Sequence, residues 1–327
     1  MKQISKKQIV NQFGFSVGAS KEQSSSAARR EYIILKTLLS SKDRESRSIV
    51  IDLVDYIEDT DDIWMILEKG GSSISRLVFK LKGEFHNGQR IYSIKKGYFL
   101  KFLFDDLNNL RALIRKMLIF INFLNQNGII HCDIKPENIL IEFDPNDLKK
   151  DSAYSNLIFS KMKVIDYGSA FFIDSPENFS SNTPEYMCPE INELLERKTS
   201  ASNIIAFLKN LKSTPWCIDM WSLGVSILEM ALACPIWISY KAKVTLYDKV
   251  IYKTGLFGFN GRDNNKILNK QLEVSQSVGK LLEDSLVQNE TDRELLSDLL
   301  SKMLDINYKT RISPLKALEH PFLKLKK

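Results

Sequence analysis

Cysteine and histidine are scarce, at four and three among 327 residues. Cys132, Cys188, Cys217 and Cys234 show no C-x-x-C spacing and no pairing with His86, His131 or His320, which speaks against a structural zinc site. Reduced thiols in the cytosol or nucleus are the simplest reading. A secretory signal is not expected either, because Met1 to Val10 is polar and lysine-rich and lacks an apolar core. Like charge is never massed beyond the terminal Lys-Leu-Lys-Lys. The 46 basic and 40 acidic residues give a spread excess of +6, from which no nucleic-acid partner follows. Internal repeats and low-complexity tracts are missing. The nearest approach to a membrane span is Met220 to Ile238, but it carries Glu229 and is interrupted at Cys234-Pro235. That reads as a buried core helix, with no membrane partner.

What is present is enough apolar material, 44% of the chain, for a large core in one two-lobed domain or two small ones. Ile33, Ile34, Leu35, Leu38 and Leu39 form a helical stripe over 27–39, with Ser24 to Ser26 as possible caps. Ile49 to Ile57 and Ile63 to Leu67 read as a hairpin around an acidic loop. After Gly70-Gly71 the pattern turns helical. Leu107 to Asn127 carries a stripe of Leu110, Leu113, Ile114, Met117, Ile121 and Leu124 and stops at Gly128. Helical patterning then continues to the end, with Thr291 and Glu294 spaced as a capping box and Ser313-Pro314 opening a last helix. Residues 144–161, 192–214 and 261–290 read as surface insertions. The expectation is an α+β chain whose small mixed lobe precedes a larger helical one.

Residues 131–138 read His-Cys-Asp-Ile-Lys-Pro-Glu-Asn, and residues 164–170 read Val-Ile-Asp-Tyr-Gly-Ser-Ala. Both are punctuated as loops beside short apolar strands. The first resembles the catalytic loop of eukaryotic-type serine/threonine protein kinases (H-R-D-x-K-x-x-N), and the second their D-F-G segment. Downstream, Thr183-Pro-Glu-Tyr-Met-Cys-Pro-Glu190 is similar to the family's T-x-x-Y-x-A-P-E, and Asp219-Met-Trp-Ser-Leu-Gly224 to the start of its central helix. The resemblance runs from residue 2 to about Phe322.

That resemblance implies a two-lobed kinase fold, a small lobe over about 1–68, a large lobe over about 72–322, and a short basic tail at 323–327. It implies transfer of the γ-phosphate of ATP to a protein serine or threonine with Mg²⁺ as cofactor, a task of positioning and charge neutralisation. Asp133 would orient the acceptor hydroxyl and take its proton, and Lys135 would offset charge on the γ-phosphate. Asn138 and Asp166 would supply oxygen ligands to the metal. Thr183 would bond Asp133 and Lys135, Glu190 would pair with Arg311, and Asp219 would brace the catalytic loop. Glu31 resembles the helix glutamate that pairs with the ATP lysine. Leu67 resembles the gatekeeper, and Glu68 the first residue of a hinge whose backbone meets adenine. His131 is expected to pack rather than react.

Apart from Cys188 in place of alanine in the 183–190 segment, the sequence departs from the family in three places. No G-x-G-x-x-G precedes Glu31, so on this reading the first strands and the phosphate lid lie upstream of Met1. The ATP lysine has two candidates: Lys2, 29 residues before Glu31, is favoured over Lys21, whose surroundings do not read as a strand. Cys132 replaces the arginine that reads an activation-loop phosphate, so activity is expected not to depend on phosphorylation of Ser180 or Ser181. Phe171, Phe172 and Phe179 would order that loop by packing, while Lys161 and Lys163 are the rival phosphate readers. Tyr167 in place of phenylalanine keeps an aromatic group and adds a hydroxyl that needs a partner. A pseudokinase or scaffold and a small-molecule kinase are the competing readings. Intact Asp133, Lys135, Asn138 and Asp166 weigh against the first, and residues 183–190 with the Asp219 helix against the second.

Overall fold

The computed structural model describes residues 2–5, 9–10, 16–17, 21–86, 89–144, 146, 158–176, 183, 185–197, 199–234, 243–246, 249–251 and 265–324. The chain begins with strand β1 (Lys2–Ser5), followed by helix α1 (Lys21–Leu39) and the antiparallel strands β2 (Leu53–Glu58) and β3 (Asp62–Leu67). β3 lies at the centre of a three-stranded sheet, with β1 on one side and β2 on the other; Lys2 and Tyr56 both stand opposite Met65. Ile34, Leu35 and Leu38 on α1 are buried with Ile63 and Met65 of β3 in the core. Ile33, counted in the predicted stripe, is exposed instead. α1 also begins earlier than the serine-cap reading required, at Lys21, which places Ser24 to Ser26 inside the helix.

Beyond Gly71 the chain is not helical for long. A five-residue helix (Ile74–Val78) gives way to a long hairpin of β4 (Phe79–His86) and β5 (Gln89–Lys96). The β-branched and aromatic content of this stretch outweighs its weak helical periodicity. The hairpin is closed at its neck where Gly97 N–H donates to Val78 O at 2.7 Å. A Cβ at Gly97 would lie 1.7 Å from the Leu77 carbonyl oxygen, so only glycine fits there. The outer edge of β5 pairs in parallel with β6 (Lys243–Leu246), which pairs in turn with β7 (Lys249–Ile251). Four strands therefore join two segments about 150 residues apart, a departure from the helical pattern expected after residue 128.

The large lobe is organised by two helices. α2 (Leu107–Gln126) is N-capped by the Asp106 side chain and buries Leu110, Leu113, Ile114, Met117, Ile121 and Leu124. α3 (Cys217–Leu232) is buried at every position, which accounts for its nearly unbroken apolar sequence. Among the described residues no helix is long and apolar enough to cross a membrane. Two of the expected surface insertions contribute to the core. Helix Ala201–Asn210 buries Leu208, and α4 (Asn265–Glu283) buries Gln271, Val274, Val278 and Leu282. The cap of α5 (Glu290–Met303) is Asn289, whose side chain accepts Asp292 N–H, rather than Thr291 with Glu294. Ser313 caps the last helix, Pro314–Leu318, as the sequence suggested. Leu323, which the sequence reading assigned to the tail, is buried within a final 3₁₀ turn. All four cysteines are free and buried.

Candidate active site

Two loops are held side by side by pairing at both ends. Loop 131–138 runs between short strands Ile129–Ile130 and Ile139–Ile141, and loop 165–170 between Lys163–Val164 and Phe171–Phe172. Phe171 pairs with Ile130 on one side, and Ile139 with Val164 on the other. Their β-branched and aromatic residues are mostly buried, so the loops cannot slide apart without exposing core. Further ties cross between the loops: Ile165 N–H donates to Asn138 O at 2.9 Å, and His131 Nε2 lies 3.2 Å from Ile165 O. His131 is fully buried beside Tyr167 and accepts Asp133 N–H at Nδ1, a packed position.

From below, Asp219 of α3 takes the backbone N–H groups of His131 and Cys132, each at 2.9 Å. Burial pushes the Asp219 carboxyl above its ordinary range, with His131 and the two N–H bonds acting against that rise. Cys132 carries φ of 64° and Asp166 φ of 65°, both in the left-handed region that L-residues avoid. Such backbone is retained where surrounding bonds over-determine it.

Asp133 is fixed by three side chains. Lys135 Nζ lies 3.0 Å from Oδ1 and 2.8 Å from Oδ2, Thr183 Oγ1 donates to Oδ1 at 2.8 Å, and Asn138 Nδ2 donates to Oδ2 at 2.9 Å. Lys135 also donates to Thr183 Oγ1 at 2.6 Å. A carboxylate has about four acceptor sites, and two donors already reach each oxygen, so an incoming hydroxyl would share or displace one of the Lys135 contacts. Because the Asn138 amide nitrogen is spent on Asp133, its oxygen is the atom left for a cation.

A second cluster gathers around Lys2. Its ammonium lies 2.8 Å and 2.7 Å from the Glu31 carboxylate oxygens and 2.8 Å from Asp166 Oδ1. Burial alone would lower the Lys2 pKa, but Glu31 and Asp166 outweigh it and raise it. For Glu31 burial wins and the carboxyl is raised; for Asp166 burial acts upward, yet Lys2 and neighbouring bonds leave it lowered. Gly168 abuts the cluster: a Cβ there would sit 3.3 Å from Asp166 Oδ1 and 3.6 Å from Glu31 Oε2. Lys21, the rival lysine, has its side chain outside the described residues.

Asn138 and Asp166 suit a hard divalent cation by donor type, both offering oxygen. Among the described residues no group of three or more His, Cys, Asp and Glu is arranged to hold a metal.

Leu67 ends β3, partly buried, opposite Leu53. The Glu68 backbone N–H is spent on Asp52 O at 2.9 Å, so an adenine contact at Glu68 falls to its carbonyl. Its carboxylate accepts Asp52 N–H and pairs with Lys163 at 2.5 Å, contacts that no sequence motif signalled. Lys161 pairs with Glu142, so both rival phosphate readers have carboxylate partners. Ser180, Ser181 and Phe179 lie outside the described residues, whereas Phe171 is buried and Phe172 partly so. The Tyr167 hydroxyl donates to Val164 O at 3.4 Å. Glu190, at the head of helix Pro189–Glu196, receives Arg311 at 2.7 Å and 3.0 Å.

The protein kinase domain model matches residues 2–323. The chain belongs to the protein kinase domain family. Relatives of this kinase chain include Dual specificity protein kinase CLK1 of Homo sapiens, 26% identical over 92% of the chain and 58% of the relative. Dual specificity protein kinase CLK4 of Homo sapiens is 28% identical over 72% of the chain and 48% of its own length. Homeodomain-interacting protein kinase 2 of Mesocricetus auratus is 28% identical over 66% of the chain and 20% of its own length. The chain therefore spans about half, or less, of the curated relatives it matches.

Proposed function

We propose that this chain transfers the γ-phosphate of ATP to a serine or threonine hydroxyl of a protein, with Mg²⁺ as the metal. The observation that carries the reading is Lys2 Nζ within 2.8 Å of both Glu31 and Asp166, joining β1, α1 and loop 165–170 in one charge cluster. Lys2 holds the ATP phosphates and is itself held by Glu31. Asn138 and Asp166 hold the metal, which when bound neutralises charge on the phosphates. Asp133 orients the acceptor hydroxyl and removes its proton, and Lys135 offsets charge on the transferred group. Thr183 keeps both in register. Leu67 and Glu68 line the adenine end.

The choice of serine or threonine rests on Lys135 standing two residues after Asp133 together with Thr183. The names of the CLK relatives record dual specificity for those proteins, so a tyrosine acceptor belongs in the assay. The test is radiolabelled phosphate transfer from Mg·ATP to peptide mixtures carrying serine, threonine or tyrosine. The expected result is labelling of serine and threonine by the wild type. Asp166→Asn is expected to abolish labelling while the thermal transition persists. Equal labelling by the variant sinks the metal assignment, and a wild type that binds Mg·ATP without transferring phosphate points to a scaffold.

A further inference from the structure

Helix α1 addresses loop 165–170 with two consecutive side chains. Glu31 accepts the backbone N–H of Tyr167 in addition to its pairing with Lys2. Arg30 donates from Nη2 to Gly168 O at 3.0 Å, across 138 residues of sequence. One residue therefore supplies an acceptor to the turn and its neighbour a donor, on adjoining backbone groups. Two further bonds lie within the turn. Gly168 N–H bonds the Asp166 carboxylate, and Ala170 N–H donates to Tyr167 O at 3.0 Å.

We propose that Arg30 is a positioning residue for phosphate transfer: with Glu31 it clasps the Tyr167–Gly168 backbone and so fixes the direction of the Asp166 carboxylate. This inference rests on the reading of Asp166 as a metal ligand. Asp166 carries φ of 65° and ψ of 71°, a left-handed conformation that a non-glycine residue does not hold unaided. The conformation sets where its carboxylate points, and the bonds just after it determine whether the chain stays there. Arg30 is placed for that task at a cost, since burial lowers its pKa in spite of Glu31 beside it. A guanidinium bond to a carbonyl is charge-assisted, and a neutral side chain of the same length does not replace it. Glycine at 168 completes the arrangement, because a side chain there would crowd Asp166, Glu31 and Lys2.

Three variants of the whole chain test this: Arg30→Met, Arg30→Lys and Asp166→Asn. Hydrogen exchange of the segment 164–172 is the first readout and needs neither metal nor nucleotide. Arg30→Met is expected to raise exchange at the Tyr167 and Gly168 amides about tenfold, the size of one lost charge-assisted bond, while α3 stays protected. The Mg²⁺ concentration for half-maximal transfer is expected to rise by about the same factor, with the KM for acceptor peptide unchanged. Unaltered exchange at those two amides together with an unaltered Mg²⁺ midpoint overturns the proposal. Should Arg30→Met fail to fold, Arg30→Lys retains the stem and charge without the fork, and raised or wild-type exchange is read in the same two ways. If Asp166→Asn transfers phosphate normally, the metal reading fails, while the exchange result still judges the clasp.

Discussion

Arg311 meets Glu190 with both side chains sealed, at 0% and 8% exposure, whereas Lys2 meets Glu31 and Asp166 with exposures of 33%, 3% and 45%. Both clusters join segments far apart in sequence. The sealed pair is saturated: Arg311 also donates to the Cys217 and Asp305 carbonyls, and its plane lies over Trp221. Nothing is left over for a ligand, so its role is to hold the large lobe together. The open cluster keeps a carboxylate half in solvent and places a single lysine between two anions. That arrangement exchanges partners readily, which a phosphate-binding lysine requires and a structural one does not.

The comparison is broken most severely by Arg311→Met. Glu190 is then buried without its cation, and the expected loss is about 3–5 kcal/mol, measured as a fall in the urea midpoint. A loss under about 1 kcal/mol would mean the sealed pair is not structural. Lys2→Met should act in the opposite sense, with a thermal midpoint moved far less than by Arg311→Met. Its phosphate transfer is expected to drop at least about a hundredfold, the scale of removing one positioned charge from a reaction site. Comparable shifts in stability from the two variants would erase the distinction.

The smallest effect is a pH window that separates the clusters. Burial alone lowers the Lys2 pKa, but Glu31 and Asp166 raise the folded value above the ordinary one. The stabilisation from Lys2 is therefore complete below its unfolded pKa of about 10.4 and fades as pH rises toward the higher folded value. Arg311 behaves alike, its burial being outweighed by Glu190, but a guanidinium starts from a far more basic ordinary value than an ammonium. Raising the pH from about 9 to about 11 should shrink the thermal difference between wild type and Lys2→Met and leave that between wild type and Arg311→Met in place. An invariant Lys2 difference would refute the electrostatic account.

The elements legible in the sequence were those with a strong period or an end signal. α2 carries its stripe over twenty residues, and α3 carries none because all its sides are buried. These contacts were legible because the resemblance to the kinase family implied them: Thr183 reaches Asp133 and Lys135, Asp219 reaches the backbone of His131 and Cys132, and Arg311 reaches Glu190. Contacts outside motifs were silent. Arg30 matched no motif and drew no reading, and Lys163 was read as a rival phosphate reader, because a cation's partner far off in sequence leaves no local trace. Hairpin β4–β5 was misread because its weak helical periodicity masked a β-branched and aromatic content, and the strand that covers its outer edge, β6, lies in the other half of the chain.

That last pairing sets an order of events during synthesis. β5 leaves the ribosome about 150 residues before β6, an interval on the order of ten seconds at ordinary translation rates. Throughout it the hairpin can close, since β4 is next to it, but the far side of β5 presents unmatched amide and carbonyl groups. Adjacent polysomal copies carry the same unmatched strand. Until β6 is made, that edge is open to pairing with any strand that reaches it.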